Sequence, residues 1–294
     1  MKKVRLILLL AIIVSIQCKK DSNSGVTMDY TNPIKVQMIG YSGNIMEPFI
    51  SRDGHFLLFN NLNAAPENTN LHWATRLNDS TFQYNGEISG VNTPDLDAVA
   101  SLDRNGILYF VSTRSYSTSL STIYQCNFTN GSTTNVQLVK GVSKYLPGWV
   151  NFDVETSADG NTLYFVDAQF DQSGNPSTAD LVIAKKTPDS FQRWTGSNEV
   201  MKNINTTALE YAACISADEL ELYFTRVAVP MNSNSTPEIF VTHRKTTNDP
   251  FDPPMKIGTI SGFAEAATIA PDQKTIYFHM RDNGTFQLYM IKKK

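Results

Sequence analysis

The stretch Asp153–Asp167, DVETSADGNTLYFVD, decides the fold of this 294-residue chain. It reads as a tight β-hairpin: an acidic residue, a short alternating strand, an Asp-Gly turn, then an apolar-aromatic strand. Outward from it, the same unit recurs as EPFISRDGHFLLFN from Glu47 and DAVASLDRNGILYFVS from Asp97. Two more copies follow, EYAACISADELELYFT from Glu210 and EAATIAPDQKTIYFH from Glu265. The pairs Leu58-Phe59, Tyr109-Phe110, Tyr164-Phe165, Tyr223-Phe224 and Tyr277-Phe278 anchor the copies at steps of 51, 55, 59 and 54 residues. A period of that size, with about four strands per unit, predicts an all-β fold, a five-bladed β-propeller.

The two ends of the repeat array complement each other. The last copy runs through Thr285–Ile291 and stops at Lys294, one strand short of a blade. Ahead of the first copy stands Ile34–Ile39, a lone alternating strand without a hairpin partner upstream. Pairing it with Thr285–Ile291 would complete the C-terminal blade, close the ring and remove both exposed edges. The propeller domain is therefore expected to cover residues 34–294.

Residues 1–18 read as a signal peptide. A basic start, Met1 to Arg5, leads into the apolar run Leu6–Ile16, too short to span a bilayer and right for a secretory core. Cys18 follows directly, and residues 19–33 are a polar stretch with the composition of a flexible tether. A Cys at this place resembles the cleavage site of bacterial lipoproteins, although Gln17 stands where Gly, Ala or Ser is usual. That resemblance implies lipidation of Cys18 and a cell-envelope location. Lys19 in the next position favours the outer membrane.

Within each unit, strand a begins at the acid and strand b carries the aromatic pair. The pair points to opposite faces of its strand, so both members are buried only if both sheet faces are covered. Strand c is expected at Leu71–Leu77, Thr122–Phe128, Ala179–Lys185, Glu238–Lys245 and Thr285–Ile291. Phe-led segments at Phe82, Phe191 and Phe251 introduce strand d, and Ile88, Val200 and Ile257 fall in its apolar part. The second unit has Asn130-Gly131 instead, so its c–d turn should differ. The pattern acidic-x-x-x-Ser-x-Asp-Gly-x-x-Leu-Tyr-Phe, seen best in Asp153–Val166 and again in Asn92–Phe128, resembles TolB-type WD-like repeats. Asp218-Glu219 and Asp272-Gln273 depart from it in lacking the turn glycine. The resemblance implies a propeller and says little about function, because this scaffold carries binding sites of many kinds.

Catalytic and cofactor signatures are absent from the sequence: no G-x-S-x-G, H-E-x-x-H, P-loop or C-x-x-C. His55, His72, His243 and His279 fall on different units without ligand spacing, so neither a metal nor a cofactor is expected. Cys126 and Cys214 belong to strands too far apart for a disulfide and read as buried thiols. A net charge of −3, a pI near 5.8 and the lack of a basic stripe argue against nucleic acid.

The constellation left to weigh is the ring of acids Glu47, Asp97, Asp153, Glu210 and Glu265, all at the start of strand a, nearest the axis. They share a rim with the b–c loops, which carry Arg114, Arg226 and Arg281. Two of those loops are long, Asp167–Thr178 and Arg226–Pro237. One reading is a ligand or cation site at the channel mouth. The other treats each acid as a repeat feature that accepts hydrogen bonds from its own loop or pairs with a neighbouring Arg. Glu155 breaks the symmetry and places the expected site nearest the third unit. The ring otherwise looks five-fold equivalent, whereas catalysis needs carboxyls in unlike environments. The sequence thus points to a monomeric, non-enzymatic envelope lipoprotein that binds protein or glycan. The alternative is a five-bladed glycoside hydrolase with strand-a carboxylates.

Overall fold

The computed structural model describes residues 29–63, 68–172, 174–231 and 235–294, whose regular secondary structure is almost entirely β. Cys18 and the signal peptide lie outside the described residues. The first four units run in strict order, with antiparallel strands a to d. They are Met46–Ile50, Phe56–Asn60, Leu71–Asn78 and Thr81–Glu87; then Asp97–Leu102, Ile107–Ser112, Ile123–Thr129 and Ser132–Leu138. The third is Trp149–Thr156, Thr162–Phe170, Pro176–Lys186 and Phe191–Arg193. The fourth is Leu209–Ile215, Glu221–Val227, Glu238–His243 and Met255–Lys256. The last copy supplies Ala264–Ile269, Thr275–Asp282 and Thr285–Lys292, and its outer neighbour is Ile34–Lys35.

The segment Ile34–Ile39 is not one strand, as the sequence reading had it. Ile34 and Lys35 pair antiparallel with Met290 and Tyr289, and the Val36 amide still reaches the Leu288 carbonyl at 2.9 Å. Val36 itself is buried, and beyond it the chain crosses to the first unit. There Gln37–Ile39 pairs parallel with Thr81–Gln83. One short segment therefore covers an edge of two sheets.

Packing follows the aromatic pairs. All ten side chains at these positions are essentially inaccessible to solvent. Each pair divides between two different apolar clusters. Leu58 shares a cluster with Phe110, Tyr109 with Phe165, Tyr164 with Phe224, and Tyr223 with Phe278. Tyr277 of the last unit then shares one with Phe59 of the first. Each unit thus packs one sheet face on the unit before it and the other on the unit after it. That is the arrangement that lets every strand b be apolar on both faces.

Turn chemistry explains the departures from the repeat pattern. Glu219 and Gln273 stand where other copies have turn glycine, and both take the left-handed backbone, φ 60° and 57°. Glu219 is held there in part by its carboxylate, which accepts the Tyr164 hydroxyl at 2.7 Å. The second unit joins strands c and d through Asn130-Gly131, both at positive φ, the two-residue hairpin that this dipeptide favours. Strand d is short in the third and fourth units, Phe191–Arg193 and Met255–Lys256. Val200 lies in the helix Ser197–Met201 rather than in a strand, yet remains buried against the core between the third and fourth units.

Candidate functional site

Every strand a is interrupted by a β-bulge. The register breaks at Met46/Phe49, Ala98/Ser101, Phe152/Val154, Tyr211/Cys214 and Glu265/Thr268. At each break one residue has positive φ: Glu47, Val99, Asp153, Ala212 and Ala266. The bulge turns this residue toward the axis. Side chains on the neighbouring unit bind the bulge amides. Asn60 accepts from Val99 at 3.1 Å, Thr225 from Ala266 at 3.1 Å, and His279 Nδ1 from Glu47 at 3.1 Å. The Ala212 amide donates instead to the Asp153 carboxylate at 2.8 Å.

Aligned on the bulge, the five acids are not equivalent, which corrects the expectation of a five-fold ring. Glu47 and Asp153 are bulge residues and Glu265 precedes one directly. Asp97 and Glu210 stand two places earlier and are fully buried in a different setting. The amide and hydroxyl of Thr93 donate to Asp97, as does Arg114. Thr206 and Arg226 do the same for Glu210. Both arginines also bind a carbonyl of the preceding loop, Val91 or Ile204, and lie over aromatic rings of their own unit. The third unit builds a variant of this staple from Asp167, Asn151 and Arg193. Asp97, Glu210, Arg114 and Arg226 are thereby committed to fixing the loop into strand a. Arg281 is exposed at the end of its strand, where its amide binds the Phe263 carbonyl at 2.9 Å.

Glu155 also departs from expectation. It lines a small axial cavity of about 30 Å³ with Asp153, but its carboxylate is engaged on all sides. Arg52 reaches it from the first unit at 2.7 Å, Ser101 donates at 2.6 Å, and the Ile215 amide at 3.2 Å. Arg52 further binds the carbonyls of Thr156 and Ile215, so one buried guanidinium ties three units together across the axis. Asp153 and Glu155 therefore do not form a carboxyl pair open to ligand.

What remains at the mouth is a trio. Glu47, Asp153 and Glu265 converge on the floor of a cleft of about 560 Å³, with Tyr211, Phe152 and Phe170 in its wall. Burial, reinforced by the charges of Asp153 and Glu265, pushes the Glu47 carboxyl well above its ordinary range. Burial likewise raises Asp153 to about 7, the Ala212 amide opposing and Glu265 adding to the shift. Glu265 sits differently: Tyr211 donates to one oxygen and His279 Nε2 to the other at 3.1 Å. Both His279 nitrogens are thus in use, Nδ1 as acceptor and Nε2 as donor, which fixes its tautomer. Oxygen and nitrogen atoms of Glu47, Glu265 and His279 come within 4.8 Å of one another, yet this histidine positions the acids and has no free lone pair for a metal. Sequence reasoning missed His279 and Tyr211, since neither recurs in the repeats and both act between units.

No protein-family model matches the chain, and neither does any curated protein. Solved structures do. A glycoside hydrolase matches with a TM-score of 0.59 at 9% identity, covering 91% of this chain and 92% of that one. The catalytic domain of the Coprinopsis cinerea GH62 α-L-arabinofuranosidase matches at 0.55 and 10% identity, covering 91% and 97%. TolB from Acinetobacter baumannii matches at 0.45 and 14% identity over 86% of this chain, which spans only 56% of the TolB chain. At these identities the likeness to the two hydrolase structures shows a propeller-type scaffold and nothing about chemistry.

Proposed function

We propose that this chain is a five-bladed propeller that binds a neutral glycan in the cleft above Glu47, Asp153 and Glu265. The cyclic sharing of aromatic pairs, with Tyr277 meeting Phe59, supports the five-blade ring and its closure through Ile34–Lys35. One observation carries the ligand class: an aromatic-walled cleft floored by carboxyls in unlike hydrogen-bond settings. Its volume of about 560 Å³ lies within the range of small-molecule sites, about 300–1,000 Å³. Phe152 and Phe170 meet edge to face at 6.2 Å and offer apolar surface for sugar C–H faces. A neutral Glu47 donates a hydrogen bond and Glu265 accepts one, which suits hydroxyl groups, while further negative charge on a ligand is repelled. By the resemblance of its first residues to lipoproteins, the protein is anchored through Cys18 in the envelope, with the outer membrane favoured. Mass spectrometry of the native N-terminus tests this. An unmodified start beyond residue 18 rejects it.

A hydrolase is the second reading, favoured by the unlike surroundings of the acids, which is what acid–base catalysis requires. Against it, Glu265 is held by both oxygens, on the Tyr211 hydroxyl and on His279 Nε2. A glycan array and a turnover screen on the purified mature domain separate the readings. Binding without release of sugar supports the proposal, and release of reducing ends supports hydrolysis. Silence in both rejects a glycan site.

A further inference from the structure

The cleft is lined by the first residues of strands a and the last of strands b, so it opens where the d–a and b–c loops emerge. The a–b turns lie at the other end of the same strands. The chain enters the domain on that far face. The Lys294 amide donates to the Asp29 carbonyl at 2.8 Å, and Tyr30 bridges to Lys293. The Lys293 amide in turn donates at 3.0 Å to the carbonyl of Lys274, in the a–b turn of the last unit. Thr31 holds Lys292 from both sides, its amide donating to the carbonyl and its hydroxyl accepting the amide, each at 2.9 Å. Tyr30 is buried in the core between the last two units, its hydroxyl 3.4 Å from that of Tyr223. The entry point is therefore fixed to the far face.

From Asp29 back to Cys18 the chain has eleven peptide links, which span at most about 40 Å fully extended. A polar coil of that length averages about 18 Å from end to end. The path up the outer wall from the a–b turns to the mouth is longer than this average. Strand b of the last unit, Thr275–Asp282, has 8 residues and covers about 26 Å of it. An anchor at Cys18 thus lies within easy reach of the far face. It reaches the mouth only with the tether stretched along the wall.

We propose that the anchored chain turns its a–b turns to the membrane and its cleft away from it, so that the cleft takes glycan presented from beyond that membrane and not headgroups of the leaflet holding the protein. This rests on the lipidation of Cys18 and on the glycan reading of the cleft. In this orientation Tyr145 and Leu146 of a d–a loop and Val229 and Met231 of a b–c loop, all exposed, face outward with the cleft. Were these apolar residues to seek lipid instead, the molecule would stand the other way up.

The mature chain, coupled through the Cys18 thiol to maleimide-bearing lipid in phosphatidylcholine vesicles, decides between the two. Cys126 and Cys214 are buried and do not compete for the reagent. The vesicles also carry a lipid whose headgroup bears a diazirine on a spacer as long as the tether, standing in for a glycolipid headgroup. Crosslinked peptides are read by mass spectrometry against labelling of the unanchored chain by a soluble diazirine. Peptides from the a–b turns, residues 51–56, 103–107, 157–162, 216–221 and 270–275, are expected to be enriched several-fold over those from 143–149 and 227–231. A chain with Cys18→Ser and Met231→Cys, anchored from the cleft side, should reverse the pattern. Crosslinks on the cleft-side loops, on both faces equally, or on neither overturn the proposal. So does one pattern shared by both chains, which would make a lipid-seeking face its cause. Chemical coupling separates this result from the earlier ones. An unmodified native N-terminus removes the anchor, and a silent glycan array removes the ligand, without altering which face the vesicle experiment finds.

Discussion

At the scale of single residues, the decisive feature is a bulge that separates acids the repeat pattern had made alike. Their presence near the start of strand a was legible in the sequence. Their inequivalence was not, because the positive-φ residue is Val99, Ala212 or Ala266 in three of the repeats, none of which advertises a left-handed backbone. The raised carboxyls make stability depend on pH with a definite sign. Asp153 ordinarily titrates near 3.8 and in the folded chain near 7, so the folded state holds its proton across that interval. Its contribution is complete below the unfolded value and is lost as pH rises through about 7, with Glu47 extending the loss upward. Unfolding free energy measured by urea titration should therefore decline between about pH 5 and pH 8. The buried Arg52–Glu155 bond gives a second test. Arg52→Met leaves Glu155 in the core without its cation and should cost about 3–5 kcal/mol. Adding Glu155→Leu should restore most of that loss. A single variant as stable as wild type would remove the guanidinium from its structural role.

At the scale of elements, the hairpin with its aromatic pair was fully readable, since burial on both faces requires apolar residues at successive positions. Asn130-Gly131 was equally plain, being a turn written in one dipeptide. Strand c was legible to within a few residues, while strand d shrank in the third and fourth units to pieces of three and two residues, the third followed by a short helix. Outer strands make few contacts, so little in the sequence fixes them. The segment Ile34–Ile39 illustrates this, because alternation announced a strand and could not show that it changes partners at Val36. Deleting residues 34–39 uncovers the edges at Thr285–Lys292 and Thr81–Gln83 together. Aggregation measured by light scattering is the expected result. A truncated chain that stays monomeric with an unchanged midpoint would show that neither edge needs cover.

At the scale of the whole molecule, the repeats make a scaffold and their irregularities make the sites. Asp97 and Glu210 recur with the same Thr and Arg partners and hold loops in place. Glu47, Asp153 and Glu265 are brought to one cleft at or beside their bulges, and Tyr211 and His279, which no repeat predicts, hold Glu265 there. The unfolding free energies of Asp97→Asn and Asp153→Asn, determined side by side at pH 8, test that division most directly. Asp97→Asn strips Arg114 of its carboxylate and should destabilise the fold by about 3 kcal/mol. Asp153→Asn removes a charge that burial opposes and should raise stability by about 1 kcal/mol or more. Opposite signs support a structural pair and a ligand-facing trio; losses of equal size in both variants would contradict it.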